Sequence, residues 1–209
     1  LENRKLEKFL LDINIKNNLI TKWVYLPKLI NCMSKARTMN FSAKISQSDY
    51  LLFLDDDNYF ISNNSIFNII NLFKEYDFIV GQIRDNNNRL RSYKSNRVQG
   101  TTIAIKKDIF NKINGFGEWT EEFSCGVDSD FWIKIYNHFK CNNNLKACYS
   151  NKISTYDSCS KRWKRFTKFL QDIKLKRKFN ELYKCKNYKS ANFNLSRQKR
   201  LWMENLIDK

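Results

Sequence analysis

Up to about residue 135 the chain alternates short apolar runs with longer stretches in which apolar residues recur every three or four positions. The short runs read as strands and the periodic stretches as helices. Their alternation argues for an α/β sandwich with a mainly parallel sheet, because each crossover helix must cover the sheet it spans. Residues 1–12 place Leu1, Leu6, Phe9 and Leu10 on one side of a helix, and 18–28 (NLITKWVYLPK) reads as a strand ended by Pro27. In 34–46, Ser34 stands as an N-cap, and Ala36, Met39 and Ala43 are spaced for a helix lying on a sheet. Strands are predicted over 50–54, 77–83 and 98–107, with a polar loop or lid from Arg84 to Arg97. A helix over 63–76 turns Ile66, Ile69, Ile70 and Phe73 one way, and a short helix from Asp108 closes at Asn114-Gly115.

The strand Tyr50-Leu51-Leu52-Phe53-Leu54 has the length and composition of one buried on both faces, and it runs straight into Asp55, Asp56 and Asp57. The carboxyl end of a strand is where open α/β sheets bind ligands. Three adjacent carboxylates repel one another unless a cation or hydrogen-bond donors offset them. In an extended D-x-D, Asp55 and Asp57 lie on the same side of the chain and can share one hard cation, with phosphate oxygens and water completing its shell. A solvated acidic turn explains an isolated DDD equally well, so the rest of the chain has to decide.

With 209 residues and 42% hydrophobic content, the chain can build one real core. It has no run of about 18–20 apolar residues of the kind that spans a bilayer. Position 1 is Leu, which suggests that the sequence begins inside a longer product. The six cysteines, Cys32, Cys125, Cys141, Cys148, Cys159 and Cys185, form no C-x-x-C pair, so reduced thiols in a cytoplasmic setting are expected. The net charge of +17 resembles a nucleic-acid binder until its distribution is read. Residues 161–209 hold 16 Lys/Arg against 4 Asp/Glu, whereas residues 1–160 hold 22 against 17. Within 161–182, Trp163, Phe166, Leu170 and Ile173 make one apolar stripe in a basic helix, suited to pack on the domain or to touch a membrane surface.

A second acidic stretch, NGFGEWTEEFSCGVDSDFWIKIY (114–136), interleaves Glu118, Glu121, Glu122, Asp128 and Asp130 with Trp119, Phe123, Phe131 and Trp132. Carboxylates accept sugar hydroxyl hydrogen bonds, and aromatic rings cover the apolar face of a pyranose. The same residues also read as an N-capped helix, with Asp128 or Asp130 as cap and Phe131, Trp132 and Ile135 as core.

In their order along the chain, INCMSKARTMNFSAKISQSDYLLFLDDDNYF, GTTIAIKKDIF, INGF and GVDSDFWIKIY resemble the family 2 type of inverting glycosyltransferase. The stretch is also similar to galactosyltransferase-like and chondroitin-polymerase-like catalytic domains, and it covers roughly residues 28–138. The resemblance implies a GT-A (nucleotide-diphospho-sugar transferase, Rossmann-like) fold: a mixed sheet flanked by helices, here without the usual first strand and with a basic C-terminal helical extension. It divides the chain into an N-terminally incomplete catalytic domain, 1–160, and the extension, 161–209. It further implies that Asp55 and Asp57 hold Mn2+ or Mg2+ on the donor diphosphate, with Asp56 and Arg37 on the nucleotide side. Asp128 becomes the general base, and Glu118, Trp119 and Asp130 become sugar or acceptor contacts. Where the family often has a histidine as a further metal ligand, Asp157 is better placed than His138. Two departures stand out: Val127 replaces the Glu that usually precedes the base, and Gly117 stands where Asp is common.

The activity so implied is metal-dependent transfer of a sugar from a nucleotide-sugar donor, UDP-sugar favoured, to a glycan or glycoconjugate acceptor. The setting implied is cytoplasmic, peripheral to a membrane if 161–182 touches one, with no nucleic-acid partner. Nucleic-acid binding or a metal-dependent nuclease would use the basic tail but leave the aromatic and acidic 114–136 block unexplained. A catalytically inactive, glycan-binding relative is the other alternative.

Overall fold

The computed structural model describes residues 35–86, 90–91, 93, 98–123, 125–158, 165–184, 194–198 and 201–207, with 165–172 through their backbone alone. The helix expected over 1–12, the strand over 18–28 and the Ser34 cap lie outside these residues. So do the side chains of Trp163, Phe166 and Leu170.

Ala36 and Ala43 are both buried in helix α1 (Lys35–Ile45), seven residues and two turns apart, so small side chains bring this helix close to the sheet. Strand β1 (Tyr50–Phe53) follows, and the acidic run then turns the chain: the Asn58 N–H donates to the Asp55 carbonyl at 3.1 Å. Strand β2 (Asn58–Phe60), helix α2 (Ser65–Leu72) and strand β3 (Phe78–Asp85) come next. Strand β4 (Leu90–Arg91), strand β5 (Ile103–Lys106) and helix α3 (Lys107–Lys112) lead to a 3-10 helix at Glu118–Phe123. Helix α4 (Val127–Lys140), strand β6 (Ala147–Asp157), helix α5 (Arg165–Tyr183) and strand β7 (Met203–Asn205) complete the described elements.

The strands form one sheet in the order β1-β5-β3-β6-β2, with β4 on β3 and β7 on β6. The chain is therefore a mixed α/β protein, and the expectation of a mainly parallel sheet is corrected. Only β3 with β6 and β6 with β7 run parallel; β1–β5, β3–β5, β2–β6 and β3–β4 are antiparallel. The cause is in the connections. Among the described residues no helix crosses between β3 and β5, which are neighbours, so that connection lacks the crossover that would keep the pair parallel.

Alternating strand residues serve two cores. Phe53, Phe78, Val80, Ile103, Ile105 and Tyr149 face the larger one, beneath α1, α3 and α4. Ile79, Ala104, Cys148 and Ile153 face the smaller one with Ile69 and Phe73, beside α2. β1 is not buried evenly on both faces: Leu51 and Phe53 are buried, Leu52 is half-covered, and Tyr50 is exposed, stacking on Phe73 at 4.4 Å between centroids. Among the described strands β1 ends the row, which explains its thinner cover. On α2 the expected apolar side is rotated, with Ile69 and Phe73 buried and Ile66 and Ile70 exposed.

Partner numbering on β6 jumps between Gly81↔Ser150 and Gln82↔Ser154, so the sheet changes course there. The first half of β6 then carries β7, and its second half carries β2 in the register Asn58↔Asp157. Residues after 160 join the same core: Leu175, Phe179, Leu195 and Met203 are all buried in the larger cluster. On α5 the docking face is Leu175 and Phe179, four residues apart, and Ile173 of the expected stripe is exposed. Among the described residues no helix is long and apolar enough to cross a membrane.

Cys148 gives this core a chemical test. Burial, with Glu204 and Glu75 adding, pushes its thiol from 9.0 up to about 12. Its contribution to stability is intact below about pH 9 and is lost as pH rises toward 12, because only the unfolded thiol ionises in that window. A thiol reagent at pH 8 is expected to label the exposed Cys141 and to reach Cys148 only after denaturant is added. Peptide mapping that finds both labelled equally in the native protein would show that the smaller core opens.

Candidate active site

Four separated segments meet at the carboxyl end of β1: the start of α1, the acidic turn, the loop 98–102 and the start of α4. The start of α1 is fixed from outside the helix. Glu121, buried on the 3-10 helix, accepts the Arg37 backbone N–H at 2.7 Å, placing a carboxylate where the helix dipole favours it. Asn40 then clasps Phe116 from both sides, donating to its carbonyl at 2.8 Å and accepting its N–H at 2.9 Å. These bonds aim the first helical side chain, Lys35, into the cluster.

The Lys35 ammonium lies 2.8 Å from Asp55 Oδ1 and 3.6 Å from Asp128 Oδ1, and it donates to the Gly100 carbonyl at 3.4 Å. One cation thus ties the first residue of the D-x-D to the expected base, 73 positions further along the chain. Burial pushes the Asp55 carboxyl above its usual range; Lys35 pulls it back in part, while Asp128 and Asp57 add to the rise. For Lys35, burial favours the neutral amine, but Asp128 and Asp55 outweigh it and hold the ammonium beyond the usual lysine range.

The loop beneath them is rigidly specified. The Asp55 N–H donates to Thr101 Oγ1 at 2.8 Å, and a Cβ added at Gly100 would run into the Asp128 carboxylate, so only glycine allows that approach. Thr102 sits at φ 57°, a left-handed conformation that costs a β-branched residue about 1–3 kcal/mol. The sheet holds it there: its hydroxyl pairs with Thr155 Oγ1 at 2.6 Å, and its carbonyl accepts the Gly81 N–H at 2.8 Å. The stretch 98–102 is therefore a loop, and the strand predicted from residue 98 starts only at Ile103.

At α4 the cap is Gly126, with φ 91°, so neither Asp128 nor Asp130 caps the helix. Asp128 is the second helical residue, with a side chain 42% exposed and turned toward Lys35. Asp130 is fully buried: Lys134 lies 2.8 Å from Oδ2, Trp119 Nε1 donates to Oδ1 at 3.0 Å, and the Tyr183 hydroxyl donates to the same oxygen. A sugar contact by Asp130 does not fit this placement, because the residue is 0% exposed, although its Oδ2 has the Lys134 ion pair and no hydrogen bond of good geometry. Trp119 is likewise committed, its ring packing on Phe179 at 5.3 Å. Glu118 is exposed and accepts from Asn40 Nδ2 at 3.0 Å, so it keeps a face to solvent.

No family model matches the chain, and neither does any curated protein.

The structure also brings Asp157 to the acidic turn. It pairs in register with Asn58, and the next N–H, that of Ser158, donates to the Asp57 carbonyl at 3.2 Å. Its carboxylate is held by Arg91 at 2.9 Å. His138 lies ten residues beyond Asp128 on α4, about 15 Å along the axis. Among the described residues no three His, Cys, Asp or Glu side chains converge as a ready-made metal cage. The donors nevertheless fit a hard cation of the Mg2+ or Mn2+ kind, which takes one or two carboxylates and completes its shell with phosphate and water. Asp55 and Asp57 are half-buried and Asp56 is exposed, but the run is a turn closed by the Asn58 N–H on the Asp55 carbonyl, so the expectation of an extended D-x-D is corrected. Beside them, between α1 and β1, lies a cavity of about 710 Å3 whose lining includes Lys35, Asp55 and Asp56.

Sequence reasoning missed Lys35, Gly100 and Thr101. Lys35 stands inside the quoted SKARTMN segment, next to Arg37, but nothing local distinguishes it from the chain's many other lysines. Only the fold shows which carboxylates it meets.

Proposed function

We propose that the chain is a metal-dependent inverting glycosyltransferase with a GT-A type fold, moving a sugar from a UDP-sugar to a glycan or glycoconjugate hydroxyl. The observation that carries this reading is the meeting of Asp55 and Asp128 on Lys35. A single displacement needs a diphosphate site and a base side by side, and here two distant acidic stretches share one cation at the end of a strand.

Asp55 and Asp57 would hold Mn2+ or Mg2+, which when bound supplies charge neutralisation for the leaving diphosphate. The cavity between α1 and β1 has the volume of a small-ligand site and would take the nucleotide. Asp128, open to solvent on one side, accepts the acceptor hydroxyl proton as that oxygen attacks the anomeric carbon and the bond to the diphosphate breaks. Loop 98–102 keeps the Asp128 carboxylate against Gly100, which fixes the direction from which it acts. Glu118 is an exposed carboxylate on the 3-10 helix, as is Glu122, and would supply an acceptor contact. The exposed Lys174 and Arg177 of α5 suit a nearby anionic surface, such as a cytoplasmic membrane leaflet.

Calorimetric titration with UDP is expected to give binding in the presence of Mn2+ and little without it. Asp57→Ala should weaken the Mn2+-dependent binding by at least about tenfold while leaving the melting temperature close to wild type. UDP binding that ignores both Mn2+ and the substitution would remove the metal from this reading.

A further inference from the structure

The ammonium of Lys35 is surrounded by oxygens from three different segments: Asp55 at the end of β1, Gly100 in the loop, and Asp128 at the start of α4. Of these, Asp55 at 2.8 Å and the Gly100 carbonyl at 3.4 Å are within hydrogen-bond range, and Asp128 at 3.6 Å is an ion-pair contact. The side chain is 21% exposed and leaves from a helix start that Glu121 fixes in place, so this is a held arrangement and not a surface pairing. The Asp55 carboxylate is at once a group expected to take a divalent ion and the closest partner of Lys35. One half-buried carboxylate facing two cations would place like charges close together, which disfavours holding both at once.

We propose that Lys35 is the resident cation of this cluster, a positioning residue that holds Asp55 and Asp128 together before any ion binds and that a divalent ion must displace from Asp55. This rests on the reading of Asp55 and Asp57 as the carboxylates that take such an ion. The exchange couples the two sides of the site. When Asp55 turns to the ion, Lys35 remains with Asp128 and Gly100 and keeps the base aimed. The affinity for a divalent ion alone is accordingly set low by an internal competitor, and a diphosphate that adds its own oxygens to the ion overcomes it.

The test is binding of Mn2+ alone, without nucleotide, by calorimetry and by the loss of free-ion paramagnetic signal, for wild type, Lys35→Met and Lys35→Arg. Lys35→Met keeps the stem and removes the charge, and it is expected to bind Mn2+ about tenfold more tightly than wild type. Lys35→Arg keeps the charge and is expected to stay within about threefold of wild type, with circular dichroism confirming that each variant is folded. Equal or weaker binding by folded Lys35→Met overturns the proposal while leaving the metal site itself intact. Binding by Lys35→Met but not by wild type supports the proposal, since the internal competitor then keeps the ion alone off the wild type. No binding by any of the three overturns the exchange, and the Mn2+ dependence of UDP binding decides the metal reading separately.

Discussion

Replacing Asp128 with Asn is expected to reduce sugar transfer by about 100- to 10,000-fold while leaving Mn2+-dependent UDP binding within about threefold of wild type. The substitution keeps the shape that rests on Gly100 and removes the proton acceptor. Its structural cost is small. The Asp128 side chain is 42% exposed and lies 3.6 Å from Lys35, a distance at which a partly solvated ion pair contributes about 1 kcal/mol or less. Lys35 keeps its closer partner, Asp55, at 2.8 Å. The measurement is UDP release from a panel of UDP-hexoses and UDP-N-acetylhexosamines with oligosaccharide acceptors, alongside UDP calorimetry on the same preparations. Turnover retained in Asp128→Asn would take the base role from Asp128 and turn attention to Glu118 and Glu122, the exposed carboxylates of the 3-10 helix.

Local signals in the sequence were enough to locate the acidic turn, α1 and its two buried alanines, and the helical period of 65–72. The phase of that helix was not legible, because isoleucine and phenylalanine occur around most of its circumference and only tertiary packing chooses Ile69 and Phe73 over Ile66 and Ile70. Strand direction was hidden for a related reason. Pairing β1 with β5 joins residues fifty or more positions apart, and no local pattern encodes the choice between parallel and antiparallel neighbours. The three-residue strands β2 and β7 are too short to show a period at all. At the site, the carboxylates announced themselves by clustering, whereas Lys35 and Gly100 acquire meaning only from what the fold places against them. The 114–136 block was ambiguous by its nature. Acids beside aromatics suit a sugar pocket, and equally a core in which a buried carboxylate organises Trp119 and Tyr183.

That ambiguity is resolved by the largest stability effect we expect, at Asp130. Removing the carboxylate in Asp130→Ala leaves Lys134 without the oxygen 2.8 Å away and leaves the Trp119 and Tyr183 donors facing a void, in a place where Asp130 itself is 0% exposed. Breaking one side of a buried ion pair costs about 3–5 kcal/mol. For a chain of this length that corresponds to a fall in melting temperature of roughly 6–20 °C. Asp130→Asn keeps an oxygen for Trp119 and Tyr183 but turns an NH2 donor toward the Lys134 ammonium, so its fall should be smaller than that of Asp130→Ala while still measurable. A residue that contacts a sugar would behave in the opposite way, raising the KM for acceptor with the melting temperature unchanged. Thermal denaturation followed by circular dichroism separates the two roles. The double change Asp130→Ala with Lys134→Met sharpens the result further, because it removes together with its partner an ammonium that would keep, among the described residues, only the Gly115 carbonyl at 3.1 Å. If the buried charge is the main cost, the double variant melts above Asp130→Ala; if the loss comes from the cavity and the unmatched Trp119 and Tyr183 donors, removing Lys134 restores nothing.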